Sequence, residues 1–139
     1  MNLKMWPVAA GILVDVFGTM VAAVLYVTLV LGVSLSEGQV TEDMLTPTHQ
    51  AIVDALGLLL SVLGGFVAGR LAKVDEVNHG AAAGFGSLLF ALLLAWGVPM
   101  DAPSWRDLLM SLAVVPAAAL GGYVAGRLNA RGARRAMKL

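Results

Sequence analysis

The chain has no cysteine, which excludes disulfides, thiolate metal centres, iron–sulfur clusters and a cysteine nucleophile. Charge is almost as scarce. Charged residues fill 13% of the 139 positions, about half the share found in soluble domains. Nine basic residues cancel nine acidic ones, so net charge gives no argument for a polyanionic partner. The sequence also lacks a phosphate loop, a nucleic-acid motif and any pairing of a nucleophile with a base. No enzyme, cofactor or nucleic-acid partner is therefore expected.

What is abundant is apolar surface: 59% of the residues are hydrophobic and 16 are glycine. A bilayer core of roughly 30 Å needs about 20 apolar residues of helix, and four runs are long enough. They cover residues 6–33, 47–71, 77–96 and 105–128. The first exceeds the roughly 7–15 residues of a signal-peptide core and is read as a retained span. Pro7 and Pro47 suit a first helical turn, where an N–H would be unpaired in any case. Thr46 is a candidate N-cap, and Ser104 with Asp107 has the form of a capping box. Trp6, Trp96, Trp105 and Tyr123 fall near run ends, at the level of the headgroups. The expected fold is an all-α membrane protein, a four-transmembrane-helix bundle forming a single domain over 1–139.

The few charges are unevenly placed. Lys4, Arg70, Lys73, Arg127, Arg131, Arg134, Arg135 and Lys138 fall on one side of the four spans. Arg106 is on the other, with Glu37, Glu42, Asp43, Asp101 and Asp107. Basic residues in short connections face the cytoplasm, so both termini are expected inside. The basic tail serves as a topology anchor or as a surface for anionic lipid.

An internal repeat runs through the chain. Gly64-Gly65-Phe66-Val67-Ala68-Gly69-Arg70-Leu71 matches Gly121-Gly122-Tyr123-Val124-Ala125-Gly126-Arg127-Leu128 at every position but the aromatic one. Phe17-Gly18-Thr19 and Phe85-Gly86-Ser87 form a shorter echo. Two helical hairpins, about 6–73 and 77–131, are thus expected as parallel repeats related by an axis along the membrane normal. Gly65/Gly69 and Gly122/Gly126 are GxxxG pairs, flanked by Gly64 and Gly121, and Gly80/Gly84 open the third span. In lipid, helices associate through close contact at such small residues. The glycines serve packing inside the bundle, or a face for a second copy or a larger membrane complex. Arg70 and Arg127 follow these rows and either snorkel to the headgroups or hold an anion. Pro116 removes a hydrogen bond to Leu112 and predicts a kink.

Asp15 and Asp54 are the candidate functional acids, because a carboxylate within an apolar span is costly unless paired, protonated or hydrated. From the assumed span starts they lie roughly 7 Å apart in depth at about 1.5 Å per residue. Gly11, Asp15, Gly18 and Ala22 share one face; Gln50, Asp54, Gly57, Ser61 and Gly64 share another, with His49 beside its end. If these stripes meet, they make a polar seam that suits a proton, a cation or a cationic substrate, and the two acids share a proton. The other reading is an interhelical hydrogen bond from a protonated Asp to Thr19, Ser61 or a carbonyl. His49 and His79 are expected on opposite sides, which argues against a common metal site; His79 is assigned a local capping or interface role.

Two resemblances bear on function. The Gly-Gly-aromatic-x-Ala-Gly-Arg ending, with His79-Gly80 and Gly84, resembles a group of small four-span bacterial membrane proteins with no assigned activity. This covers much of spans two to four and implies a bacterial cytoplasmic membrane. Asp15-Val16-Phe17-Gly18-Thr19 resembles the Glu-Val-x-Gly-Thr stretch in the first helix of small multidrug resistance transporters. That likeness implies a membrane carboxylate that exchanges protons for cationic drugs. It covers five residues, Asp15 stands where those transporters carry Glu, and their third-helix pattern is missing. Two functions are therefore carried forward: a homo-oligomer or accessory subunit acting through glycine-rich helix packing, and a proton- or cation-coupled small transporter or channel using Asp15 and Asp54.

Overall fold

The computed structural model describes residues 3–32, 46–96 and 104–136. Val33, Glu37, Glu42, Asp43, Asp101 and Lys138, which enter the reading of spans and charge, lie outside these residues. Four helices follow one another: α1 (Met5–Leu29), α2 (Pro47–Ala72), α3 (Glu76–Ala95) and α4 (Trp105–Ala136). All four are long and apolar enough to cross a membrane. The fold is a four-helix bundle, and the chain is a multi-pass membrane protein.

Local chemistry explains most helix ends. Thr46 accepts a hydrogen bond from the His49 N–H at 3.4 Å, with Pro47 in the first turn. Ser104 and Asp107 form the reciprocal capping box: Ser104 N–H donates to Asp107 Oδ2 at 2.9 Å, and Asp107 N–H donates to Ser104 Oγ at 3.3 Å. Two ends differ from expectation. α1 stops at Leu29 rather than at 33, and Gly32 takes a left-handed φ of 67° shortly afterwards. α4 runs to Ala136, beyond the expected 128. The expected limit marked where apolar residues give way to Arg127, Asn129 and Arg131. Ala, Arg and Leu are strong helix formers with or without lipid, so the helix outlasts the hydrophobic run. Pro116 is accommodated inside α4.

The α2–α3 connection, Lys73 to Asp75, is stabilised from outside. Lys73 and Asp75 adopt left-handed φ values of 59° and 47° without being glycine, each costing on the order of 1 kcal/mol or more. The N-terminal segment braces this turn. Lys4 Nζ donates to the Ala72 carbonyl at 3.3 Å, and Lys4 N–H donates to His79 Nε2 at 2.9 Å. His79 Nδ1 in turn donates to the Asp75 carbonyl at 3.0 Å, which defines a neutral tautomer. His79 is fully buried and joins the start of α1 to the α2–α3 turn.

Backbone-to-backbone contact holds this end of the bundle together. A Cβ on Gly65 would overlap the Ala118 carbonyl, and one on Gly121 would overlap the Val62 carbonyl. α2 and α4 are thus in reciprocal main-chain contact. Gly80 and Gly84 place α3 against Ala118 and Val114 of α4; Gly122 lies against the Glu76 carbonyl. Gly11 and Gly64 bring α1 onto α2, each Cβ position being 2.7 Å from the other's carbonyl. Buried residues gather in the half nearest the α2–α3 turn and extend no farther than Asp15, Ser61, Ser87 and Ala118; beyond them Tyr26 alone is buried among the described residues. At the opposite end the helices diverge, and residues 89–94 of α3 are all exposed. α1 approaches α2 and α3 but not α4 within 8 Å between Cα atoms, whereas α2 and α3 do touch. The bundle therefore departs from two-fold symmetry.

These contacts yield a stability prediction. Gly65→Ala should cost at least about 2 kcal/mol, since the new methyl meets a carbonyl rather than a yielding side chain. Gly57→Ala, where nothing lies within 4 Å, should be neutral or stabilising by up to about 1 kcal/mol. Unfolding titrations in mixed detergent check both, and equal losses at the two sites would contradict this packing.

Candidate functional site

Where the tight half of the bundle ends, a cavity of about 290 Å³ begins, lined by all four helices. Its walls are mostly apolar: Val16, Met20, Leu88, Phe90, Leu94 and Val114. Asp15, Thr19, Ser61, Ser87 and Ser111 supply the polar groups. Several wall residues, Met20, Phe90, Leu94 and Ser111 among them, are also exposed, so the cavity opens to the exterior. A smaller void of about 20 Å³ between α1 and α2 shares Thr19 and Gly57 with it and reaches Tyr26.

Asp15 sits at the tight end of this space, 5% exposed. Ser61 Oγ donates to Asp15 Oδ1 at 3.0 Å and lies 3.1 Å from the Gly57 carbonyl. A hydroxyl has one proton to give, so Asp15 and Gly57 compete for it. This arrangement suits both states of the acid. An ionised Asp15 accepts from Ser61; a protonated Asp15 can donate to Ser61 while Ser61 turns to Gly57. Opposite them, Ser87 Oγ is buried and has no hydrogen-bond partner among the described residues.

Asp54 is engaged elsewhere. Arg106 Nη2 lies 2.6 Å from Asp54 Oδ2, an ion pair between α2 and the first turn of α4 whose side chains are 26% and 36% exposed for Asp54 and Arg106 respectively. Asp54 shares the face of Ser61 but is seven residues away, about 10 Å along the helix. The shared proton expected for Asp15 and Asp54 does not form, because each acid has its own partner on a different level. Sequence reasoning missed Arg106 in this role. Its signal was its isolation as the single base among acidic residues on that side of the spans.

The remaining candidates are dispersed. His49 Nδ1 is 2.6 Å from Tyr26 Oη, joining the far ends of α1 and α2. Gln50 is exposed one residue on. Arg70 is hydrogen-bonded to Asn129, which also donates to Glu76 at 3.1 Å. Arg127 folds over the Tyr123 ring, 5.0 Å from its centroid. The two arginines thus have separate partners, and both are exposed. Gly69 and Gly126 lie beside Glu76, so every glycine of the GxxxG rows and of Gly80/Gly84 faces a neighbour within the chain, whereas Gly57 on the Asp54 stripe faces none.

Fold and site together define a class: a small multi-pass membrane protein with an acid-bearing cavity at the open end of its bundle. Comparison of the chain with protein-family models, curated proteins and solved structures finds no match.

The Asp15–Ser61 bond can be tested directly. Ser61→Ala should cost about 1–3 kcal/mol by leaving a buried carboxylate without its donor. Asp15→Asn keeps an acceptor oxygen and should cost less. Thermal unfolding in detergent reads both; a Ser61→Ala protein as stable as the native one would remove the bond from the account.

Proposed function

We propose that the chain is a small membrane transport or channel protein in which Asp15 binds and releases a proton or small cation. The observation that carries this reading is the placement of Asp15: a buried acid facing an open cavity, with a hydroxyl that can serve either protonation state. A carboxylate with only a packing role gains nothing from a cavity beside it. The unpartnered Ser87 hydroxyl adds a second polar group to the same space.

The reading as a homo-oligomer or accessory subunit draws less support. Its basis was a surplus of glycine surface, and those glycines already face neighbours within the chain. Asp54 is not the proton-binding acid in this proposal, since it is paired with Arg106. The membrane is read as a bacterial cytoplasmic membrane with both termini inside. Eight of nine basic residues on the side of the termini support that orientation.

Reconstitution into liposomes with an internal pH-sensitive dye tests the proposal. Native protein should dissipate an imposed pH gradient or couple it to cation uptake. Asp15→Asn should abolish this activity, while Asp54→Asn should retain it at an altered rate. Flux that survives Asp15→Asn, or native protein no more active than empty liposomes, would overturn the reading and favour the packing role.

A further inference from the structure

The exposed wall residues Met20, Leu94 and Ser111 lie towards the end of the bundle where Asp54 and Arg106 meet, although neither of that pair lines the cavity itself. Asp54 lies one helical turn beyond the cavity residue Gly57, on the face of α2 that carries Ser61. Arg106 reaches it from α4 through one nitrogen–oxygen contact, and neither side chain has another hydrogen bond among the described residues. The other charged group described at this end, Asp107, is engaged by Ser104 at 2.6 Å, and His49 is engaged by Tyr26. The Asp54–Arg106 pair is therefore the charged contact that bridges α2 and α4 at this end, and Asp107 keeps its own negative charge beside it.

We propose that Arg106 is the specificity-determining residue of the cavity mouth, a tethered cation that occupies Asp54 and yields it only to a competing cation. The inference rests on the cavity being a ligand site, as proposed above. Three features point to exchange rather than a fixed brace. The contact uses one oxygen and one nitrogen, where a brace would use the paired geometry available to arginine and carboxylate. Both partners are partly exposed, so the guanidinium has space to swing outward. The α2–α4 contact is already secured by Gly65 and Gly121 at the other end, so it does not depend on the ion pair. With the pair closed, the charges of Asp54 and Arg106 cancel each other. A cation that binds Asp54 displaces Arg106 and stands about two turns above the Asp15–Ser61 level.

The absence of cysteine allows a direct test. Thr19→Cys and Ser87→Cys each place a single thiol in the cavity wall. In vesicles of known orientation, labelling rates with cationic and anionic methanethiosulfonate reagents are compared from the side opposite the termini. Arg106→Gln should raise the cationic-to-anionic rate ratio by about 5- to 10-fold, the effect of one charge over about 10 Å. Asp54→Asn should lower it by a similar factor, and Arg106→Lys should keep the parent ratio. Opposite shifts support the charge gate. A mechanical brace would instead raise both rates together in both variants, and that result overturns the proposal. Failure of both thiols to react from that side overturns it as well. Because labelling needs no transport, charge-selective access without flux would retain the gate and retract the transport reading.

Discussion

The close approach of α2 and α4 at Gly65 and Gly121 is the constraint on which the rest depends. Each glycine stands where any Cβ would overlap a carbonyl of the other helix. In lipid there is little to gain from hiding apolar side chains, and van der Waals contact between backbones takes over. This contact also fixes the position of α3, whose Gly80 and Gly84 fit against the same stretch of α4. Helices pressed this closely at one end and lined with Leu, Phe and Val at the other must diverge. The cavity follows from that divergence, beginning where the small residues stop. Glycine packing and the polar site are thus parts of one design, not alternative explanations of the chain.

Position along the helix then sorts the charged residues. Asp15 is at the last level of tight packing, buried beside the cavity with one hydroxyl as its partner. Asp54 is two turns farther from the seal, where the spreading helices admit a side chain as large as arginine. Exchanging their partners would strain both. Arg106 extends from the far end of α4 and cannot match the Asp15 level without reaching past Asp54. Ser61 is too short to span to α4. The division between a deep acid and an ion-paired one is therefore a consequence of helix length and splay.

Much of this was legible in the sequence, for physical reasons that differ from element to element. Spans could be located because lipid imposes length and apolarity together, and caps at Thr46 and Ser104 could be read because their partners lie within three residues. Glycine rows could be located because small residues at four-residue spacing stand out in an apolar span, but whether they pack inside the chain or against a second copy could not be read from the spacing. The end of α4 could not, since hydropathy reports where lipid stops and not where hydrogen bonding stops. Nor could the partners of the acids. Asp15 and Ser61 are 46 residues apart, Asp54 and Arg106 are 52 apart, and no local pattern joins them. One hairpin alone sets the two carboxylates about 7 Å apart in depth; the second hairpin supplies the base that pairs with Asp54.

Lys4 and His79 extend the same logic to the sealed end. Two left-handed residues in a three-residue turn would weaken an unsupported hairpin. Lys4 satisfies the final carbonyl of α2 through its ammonium, while its backbone N–H meets a histidine ring held in one tautomer. The bonds lie beside the glycine contacts, so the turn, the N-terminal segment and the helix crossing reinforce one another. A bundle sealed so firmly at one end is least constrained at the other, where residues 89–94 of α3 are exposed and the Asp54–Arg106 pair bridges α2 and α4.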